Sequence, residues 1–411
     1  MSPADRHRLA RDAGFLLYLV NRTGHVMGVQ ILTVAVGWYV YQLTRDPIDL
    51  GYVGLAQFAP AFLFVLVAGM AVDRLDRRMI LALCNVIHVA VTGLLVVVLW
   101  AGAGGMAAIL AILFVHGIAR AFAQTAVQAL LPNLVPVETF PRAVAWSSSA
   151  NKVAQLAGPA LGGGLIAWTG DGVYGAAAAC FAIAAGSALM VPPARGVRSA
   201  GRITLDALLG GFSYVWREKR VLGAISIDLL AVLLGGVMGL LPVYASDILH
   251  VGPDGLGVMR AMPGFGSLLV GLVLARLAAP RYMGPALFVS LALFAASIVV
   301  FSLSTLYWLS LAALAVYGAA DMMSVYIRLT LVQLATPDVM RGRVSAVNSV
   351  AINASNELGD FRAGVTAAFV GVVPAVLAGG VATFAIAGLW TWLFPAIRRV
   401  DRLSDVTPGR T

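Results

Sequence analysis

Ionisable and amide side chains stand inside the long apolar runs of this chain, and their spacing points to the chemistry it can do. The first run carries Arg22 and His25, three apart and on one helical face. A later run carries His116, Arg120, Gln124 and Gln128, each four after the last, as one drifting stripe; Lys152 and Gln155 follow in the next. In the second half the sign reverses. Asp228 stands in one run, Asp321 and Arg328 in another, and Asn353, Glu357, Asp360 and Arg362 in a third, where Asn353, Glu357 and Asp360 share a face. An ionised group at mid-bilayer costs about 2.5–3.5 kcal/mol even on the gentler scale, so these residues must face a cavity or each other.

Two readings follow. In one, the charges are ion pairs that hold helices together. In the other, carboxylates of the second half carry protons: Glu357 and Asp321 first, then Asp360 and Asp228. The groups holding an anionic or polar substrate would be Arg22, His25, His116, Arg120, Gln124, Lys152, Gln155, Arg328 and Asn353. Desolvation and a nearby cation act on a carboxylate's proton in opposite senses, so moving a cation by a few ångströms would load or release it. Asp321 and Arg328 lie about 10 Å apart along one helix, too far for a direct pair without bending. His88, alone in its run, is expected to make a helix–helix hydrogen bond.

Other chemistries find no support. The only lysines, Lys152 and Lys219, follow Asn151 and Glu218, so neither completes a phosphate-binding Gly-Lys-Ser/Thr loop. The five histidines lack metalloprotease spacing, and Cys84 and Cys180 form no zinc pair. No metal, no cofactor and no enzymatic activity are expected. Pumping would have to draw on an ion gradient, with proton antiport the simplest form.

The elements that position these groups follow from composition. Of 411 residues, 60% are hydrophobic and 11% charged, and the mean hydropathy is +0.90. A soluble domain carries about 25% charged residues, so a soluble enzyme, a nucleic-acid module and a disordered chain are excluded. Apolar runs predict twelve spans: 14–43, 50–72, 79–101, 105–131, 143–169, 173–191, 221–247, 254–276, 283–304, 306–335, 343–371 and 374–396. The basic start, Met1 to Gly14, is followed by a run too long for a signal peptide and reads as leading into an uncleaved first span. The expectation is an all-α polytopic membrane protein with twelve transmembrane helices in two pseudo-symmetric six-helix bundles. It divides into a first bundle at 1–191, a cytoplasmic linker at 192–220, a second bundle at 221–396 and a cytoplasmic tail at 397–411.

Charge sets the orientation. The net charge is +9. With the N-terminus inside, cytoplasmic segments take 21 of the 28 Lys+Arg and outside loops take one, Arg45. Such an excess of Lys and Arg predicts both termini in the cytoplasm and an even number of spans. The halves also repeat. A shift of 203 places Tyr41, Gly54 and Pro60 on Tyr244, Gly257 and Pro263. A shift of 201 places Gly117, Pro136, Arg142, Gly158 and Gly163 on Gly318, Pro337, Arg343, Gly359 and Gly364 without a gap. By the same repeat Arg120 corresponds to Asp321 and His25 to Asp228.

Residues 69–78 read Gly-Met-Ala-Val-Asp-Arg-Leu-Asp-Arg-Arg. This resembles the signature loop between spans two and three of the major facilitator superfamily, carried here by Gly69, Asp73, Arg74, Arg77 and Arg78. Asp76 departs from it, since the family usually has Gly there. Residues 154–163, Ala-Gln-Leu-Ala-Gly-Pro-Ala-Leu-Gly-Gly, resemble the Gly-Pro element of the superfamily's exporters, on Gly158, Pro159, Gly162 and Gly163. Thr336–Arg343, Asn356–Gly364 and Leu241–Tyr244 are similar to the enterobactin-exporter-like branch, which also contains drug and macrolide efflux proteins. The resemblance implies a transporter in the cytoplasmic membrane with a site between its halves. The loop and the Gly-Pro element would serve conformational gating.

On this reading the chain is a proton-coupled exporter of a small molecule, siderophore-like or drug-like, working by alternating access. Multidrug or macrolide efflux is the nearer alternative, and a non-pumping receptor or scaffold with a transporter fold the more distant one; the Gly-Pro element disfavours an importer. The expected partners are the substrate and the lipid bilayer, with no nucleic acid, and the protein is expected to be a monomer.

Overall fold

The structure is a computed structural model, and it describes residues 12–102, 105–193, 205–276, 282–398 and 400. Several basic residues used above for orientation lie outside the described residues: Arg6, Arg8, Arg11, Arg195, Arg198, Arg202, Arg281, Arg399, Arg402 and Arg410. The described residues are helical, with no strand among them. That is what a bilayer requires, because a helix satisfies its own backbone where no water can.

In chain order the helices are α1 (Ala13–Thr44), α2 (Pro47–Leu63), α3 (Val65–Arg74), α4 (Arg77–Ala101), α5 (Gly105–Leu134), α6 (Phe140–Thr169), α7 (Gly172–Met190) and α8 (Leu205–Arg217). Next come α9 (Lys219–Gly235), α10 (Gly252–Arg276), α11 (Met283–Leu303), α12 (Tyr307–Ala335), α13 (Asp338–Val370), α14 (Val372–Leu393) and α15 (Pro395–Arg398). Between α9 and α10 the chain turns through a 3-10 segment at Met238–Leu240, a helical turn at Leu241–Val243 and a π-helical turn at Tyr244–Ile248.

Among the described residues, nine segments are long and apolar enough to cross a membrane. The remaining expected spans differ for two reasons. The span at 50–72 is divided into α2 and α3 at Phe64. The spans at 143–169 and 343–371 form the long helices α6 and α13, whose sequences carry the polar residues Lys152, Gln155, Asn353, Glu357 and Asp360.

Helix ends are set by local chemistry. Gly102, Gly170 and Gly371 take positive φ of 58°, 58° and 89° at or just beyond helix ends, a region open to glycine at no steric cost. Asp76 precedes α4 and accepts from the backbone N–H of Arg78 at 3.1 Å. The residue that departs from the superfamily's loop pattern is thus an N-cap.

The chain forms two compact units, one of Met1–Val40, Leu55–Arg202 and Gly252–Gly257, the other of Tyr41–Gly54, Ile203–Val251 and Val258–Thr411. Each has its own apolar core. In the first, Phe15, Tyr18, Leu81, Ala126, Leu130 and Ala143 pack together. In the second, Val221, Ile227, Leu287, Ile327, Leu331 and Ile397 do so. In lipid, helix association relies on close packing and small residues rather than on hydrophobic burial.

Three close approaches occur once in each unit at repeat-related positions. A Cβ on Gly117 would meet Gln57 and Pro60, and one on Gly318 would meet the backbone of Pro263. One on Gly158 would meet Gln30, and one on Gly359 the backbone of Val232 and Leu233. One on Gly163 would meet Pro253 and Gly257, and one on Gly364 Pro47 and Gly51. The numerical repeat is therefore also a repeat of contacts. Replacing Gly318 with valine should overpack the α10–α12 seam at a cost of about 1–3 kcal/mol or more. Thermal unfolding of the purified protein in detergent checks this, and an unchanged midpoint would contradict the contact.

Candidate functional site

In the first unit, α1, α4, α5 and α6 enclose a cavity of about 220 Å³. Its polar lining comes from Asn21, Arg22, His25 and Gln30 of α1, Arg120, Gln124 and Gln128 of α5, and Asn151 and Gln155 of α6. The helical stripes read from the sequence bring these groups to one space. Arg22 donates through Nη1 to the Tyr18 hydroxyl at 3.1 Å, and that hydroxyl lies 3.3 Å from Ser147 Oγ. Asn21 is tied to the Ala184 carbonyl at 2.7 Å. The wall is thus held in place by its own hydrogen bonds, and no carboxylate lines it. It presents guanidinium and amide donors suited to anionic or carbonyl-rich groups.

Behind this wall three imidazoles pack against one another. His88 lies 5.2 Å from His25 and 4.4 Å from His116, ring centre to ring centre, with Phe181 4.9 Å away. His25 Nδ1 lies 2.9 Å from Asn85 Oδ1, and the Asn85 amide donates to the Leu81 carbonyl at 2.8 Å. His88 and His116 are fully buried. Both ring nitrogens of His88 and Nδ1 of His116 lack a hydrogen-bond partner among the described residues. His88 therefore packs against its neighbours with tilted rings, rather than making the helix–helix hydrogen bond expected of it. His116 sits behind the cavity, not on its surface. Lys152 is exposed and does not line the cavity, whereas its neighbour Asn151 does.

The second unit holds the carboxylates expected within the spans, Asp228, Asp321, Glu357 and Asp360. Asp228 of α9 and Arg328 of α12 form an ion pair at 2.6 Å, both almost wholly buried. Arg328 Nε also donates to Ser324 Oγ at 3.0 Å. Of the residues expected to carry protons or substrate here, these two are committed to each other. Asp360 stands beside Gly239, where a Cβ would come 3.1 Å from its own, and lies within electrostatic reach of Glu357, Arg260 and Arg362. The Tyr317 side chain lies within reach of Asp321, Asp360 and Asp228. Glu357 and Asp321 are half-buried, and Asn353 is exposed. Arg362 donates to the carbonyls of Leu233 at 2.9 Å and Leu234 at 2.6 Å. Arg260 Nη2 donates to the Met238 carbonyl at 3.3 Å. Sequence reasoning passed over Arg260, Asn85 and Asn151; a lone cation in an apolar run was the available signal for the first.

The gating residues occupy two places. In the loop, Asp73 and Arg74 are exposed, and nothing would obstruct a Cβ at Gly69. Arg78 is bound to Asp76 at 2.7 Å and to the Val191 carbonyl at 3.1 Å, while Arg77 is buried. In α6, Gly158 and Gly162 lie against Gln30 and Ile31, and Gly163 against Gly257. A Cβ on Gly257 would in turn meet the Pro159 carbonyl at 2.5 Å.

The fold and sequence have relatives. A bacterial homologue of the human lysosomal transporter Spinster, solved inward-facing and occupied, superposes with a TM-score of 0.73 at 14% identity over the full length of both chains. The D-xylose-proton symporter superposes with a TM-score of 0.69 at 13% identity, covering 96% of this chain and 99% of that one. These likenesses concern the fold: an all-helical major facilitator architecture. In sequence, the enterobactin exporter EntS of Citrobacter koseri is 25% identical over 341 residues, 82% of each chain. Macrolide efflux protein A of Streptococcus pyogenes is 28% identical over 131 residues; this chain spans about a third of the length of that relative, 32%. The family of transmembrane secretion effectors within the major facilitator group matches residues 10–407. The match takes in both units, with the basic cavity of the first and the carboxylates of the second, and the chain belongs to that family of multi-pass membrane transporters.

Proposed function

We propose that this protein is a proton-coupled exporter of a small polar or anionic molecule across the cytoplasmic membrane, with both termini in the cytoplasm. The carrying observation is the separation of charge. The first-unit cavity is lined by Arg22, Arg120, His25 and amides with no carboxylate, while Asp321, Glu357 and Asp360 stand in the second unit. A basic, donor-rich cavity recognises anions and carbonyl oxygens. Carboxylates inside membrane spans mark proton or ion pathways. The similarity to an enterobactin exporter over 82% of both chains favours a siderophore-like substrate, rich in oxygen acceptors. The shorter similarity to a macrolide efflux protein supports the second reading, efflux of drug-like molecules.

The test uses inside-out vesicles containing the protein. Acidifying the lumen should drive uptake of a catecholate siderophore, and a protonophore should abolish it. Uptake of lipophilic cations in preference to anions would move the assignment to the drug-efflux reading. Failure of any gradient to move any compound of a chemically diverse panel would remove both.

A further inference from the structure

The span that opens the second unit does not run straight through. The α9 helix stops at Gly235, Gly236 and Val237 are not helical, and the chain resumes as the short turns Met238–Leu240, Leu241–Val243 and Tyr244–Ile248. A helix end within hydrocarbon leaves carbonyl and amide groups unmatched, each at a cost of several kcal/mol. Here charged side chains take the missing partners. Arg362 binds the Leu233 and Leu234 carbonyls, Arg260 binds the Met238 carbonyl, and the Asp360 carboxyl stands beside Gly239. Glycine permits the approach: a Cβ on Gly236 would lie 2.9 Å from the Gly359 carbonyl carbon, and one on Gly239 3.1 Å from Asp360 Cβ.

The first unit is the internal control. Subtracting 203 or 201 carries Gly235 and Gly236 to Leu32 and Thr33, Arg260 to Gln57, Asp360 to Pro159 and Arg362 to Leu161. There α1 is unbroken from Ala13 to Thr44, and Thr33 Oγ1 bonds within its own helix to the Val29 carbonyl at 2.7 Å. The same glycine approach, Gly158 on Gln30, is present without the charges and without the break. Asp360, Arg362 and Arg260 therefore belong to the interruption, not to the packing of this helix pair in general.

Among these groups Asp360 is the one that can change charge by taking up a proton. The ionisable groups around it are Glu357 and Arg362 on α13, Arg260 on α10, and Tyr317 with Asp321 on α12; Tyr52 of α2 lies against the neighbouring Phe361. The far end of the turned segment is held separately. Asp247 accepts from the Tyr41 hydroxyl and pairs with Arg45 at 3.2 Å, and Gln42 donates to Ser246 at 3.2 Å.

Building on the proton-coupled reading, we propose that Asp360 is the proton-carrying residue of the second unit, and that the interrupted helix at Gly235–Gly239 is the element its charge holds in place. Protonation turns a carboxylate acceptor into a neutral acid. That removes the carboxylate's attraction on Arg260 and on the adjacent Gly239 amide dipole, so the segment Met238–Ile248 is freed at its inner end.

The experiment is amide hydrogen exchange on the full-length protein in lipid nanodiscs, corrected for the intrinsic pH dependence of exchange. It needs neither substrate nor gradient. In the parent protein, the amides of residues 236–248 should exchange about tenfold faster at pH 5 than at pH 8, as the segment loosens once the carboxylate is neutral. In Asp360→Asn, which carries no charge at either pH, exchange should stay at the fast level across that range. Glu357→Gln should keep the parent's response. Gly239→Ala, which displaces the carboxylate, should also lose it and serves if the asparagine variant does not fold. A flat profile in the parent, or a retained response in Asp360→Asn, overturns the proposal. Absence of gradient-driven uptake alongside the expected exchange profile would instead remove the transport reading alone.

Discussion

Replacing Arg328 alone with leucine should destabilise the second unit by about 3–5 kcal/mol, because it strands the Asp228 carboxylate without its partner. The pair is 2.6 Å long and each side chain is almost wholly buried. Removing one member leaves an uncompensated charge on a side chain that is almost wholly buried. Removing both is a different experiment. Asp228→Asn with Arg328→Leu eliminates the charges together, and such double changes are often neutral or stabilising. The expected pattern is a large fall in thermal midpoint for the single variant and recovery of most of it in the double. A double variant as unstable as the single would mean that Arg328 acts through other contacts, such as Ser324. Restored stability with restored transport would identify the pair as architecture. Restored stability without transport would return Asp228 to the proton pathway.

The second large effect lies in the first-unit cavity. Arg120→Ala should weaken binding and transport of an anionic substrate by about 10- to 150-fold, since a hydrogen bond to a charged group is worth about 1.5–3 kcal/mol. Arg22→Ala should act in the same direction, tempered because Arg22 also binds the Tyr18 hydroxyl. Lys152 supplies the contrast. It carries the same charge and was expected at the same site, yet it is exposed and does not line the cavity. Lys152→Ala should leave substrate affinity close to the parent value. Concentration-dependent uptake in vesicles measures all three. Equal losses for Arg120→Ala and Lys152→Ala would show that general positive charge, rather than the lined cavity, attracts the substrate.

Several features of the site were legible because they depend on periodicity and cost. Arg22 with His25, and Arg120 with Gln124 and Gln128, share helical faces by spacing alone, and the penalty for charge in lipid required an interior space for them. The structure supplies that space. The glycine repeat was equally readable, and Gly117 on Pro60 with Gly318 on Pro263 shows that it describes contacts. His116 and His88 show the limit. Spacing placed His116 on the polar stripe, but the neighbouring α4 brings His88 against it and closes it off from the cavity.

The sequence by itself determined the number and rough extent of the apolar runs, the presence of costly charges within them and their unequal distribution between the halves. These are local properties, set by the transfer energy of each side chain and by the helical repeat. Tertiary structure alone decided which charge meets which partner. Asp228 finds Arg328 a hundred residues away, Arg362 reaches back to Leu233 and Leu234, and α9 breaks at Gly235 where α1 continues through Leu32. Such pairings depend on how helices distant in the chain rotate and pack, and no local pattern encodes that.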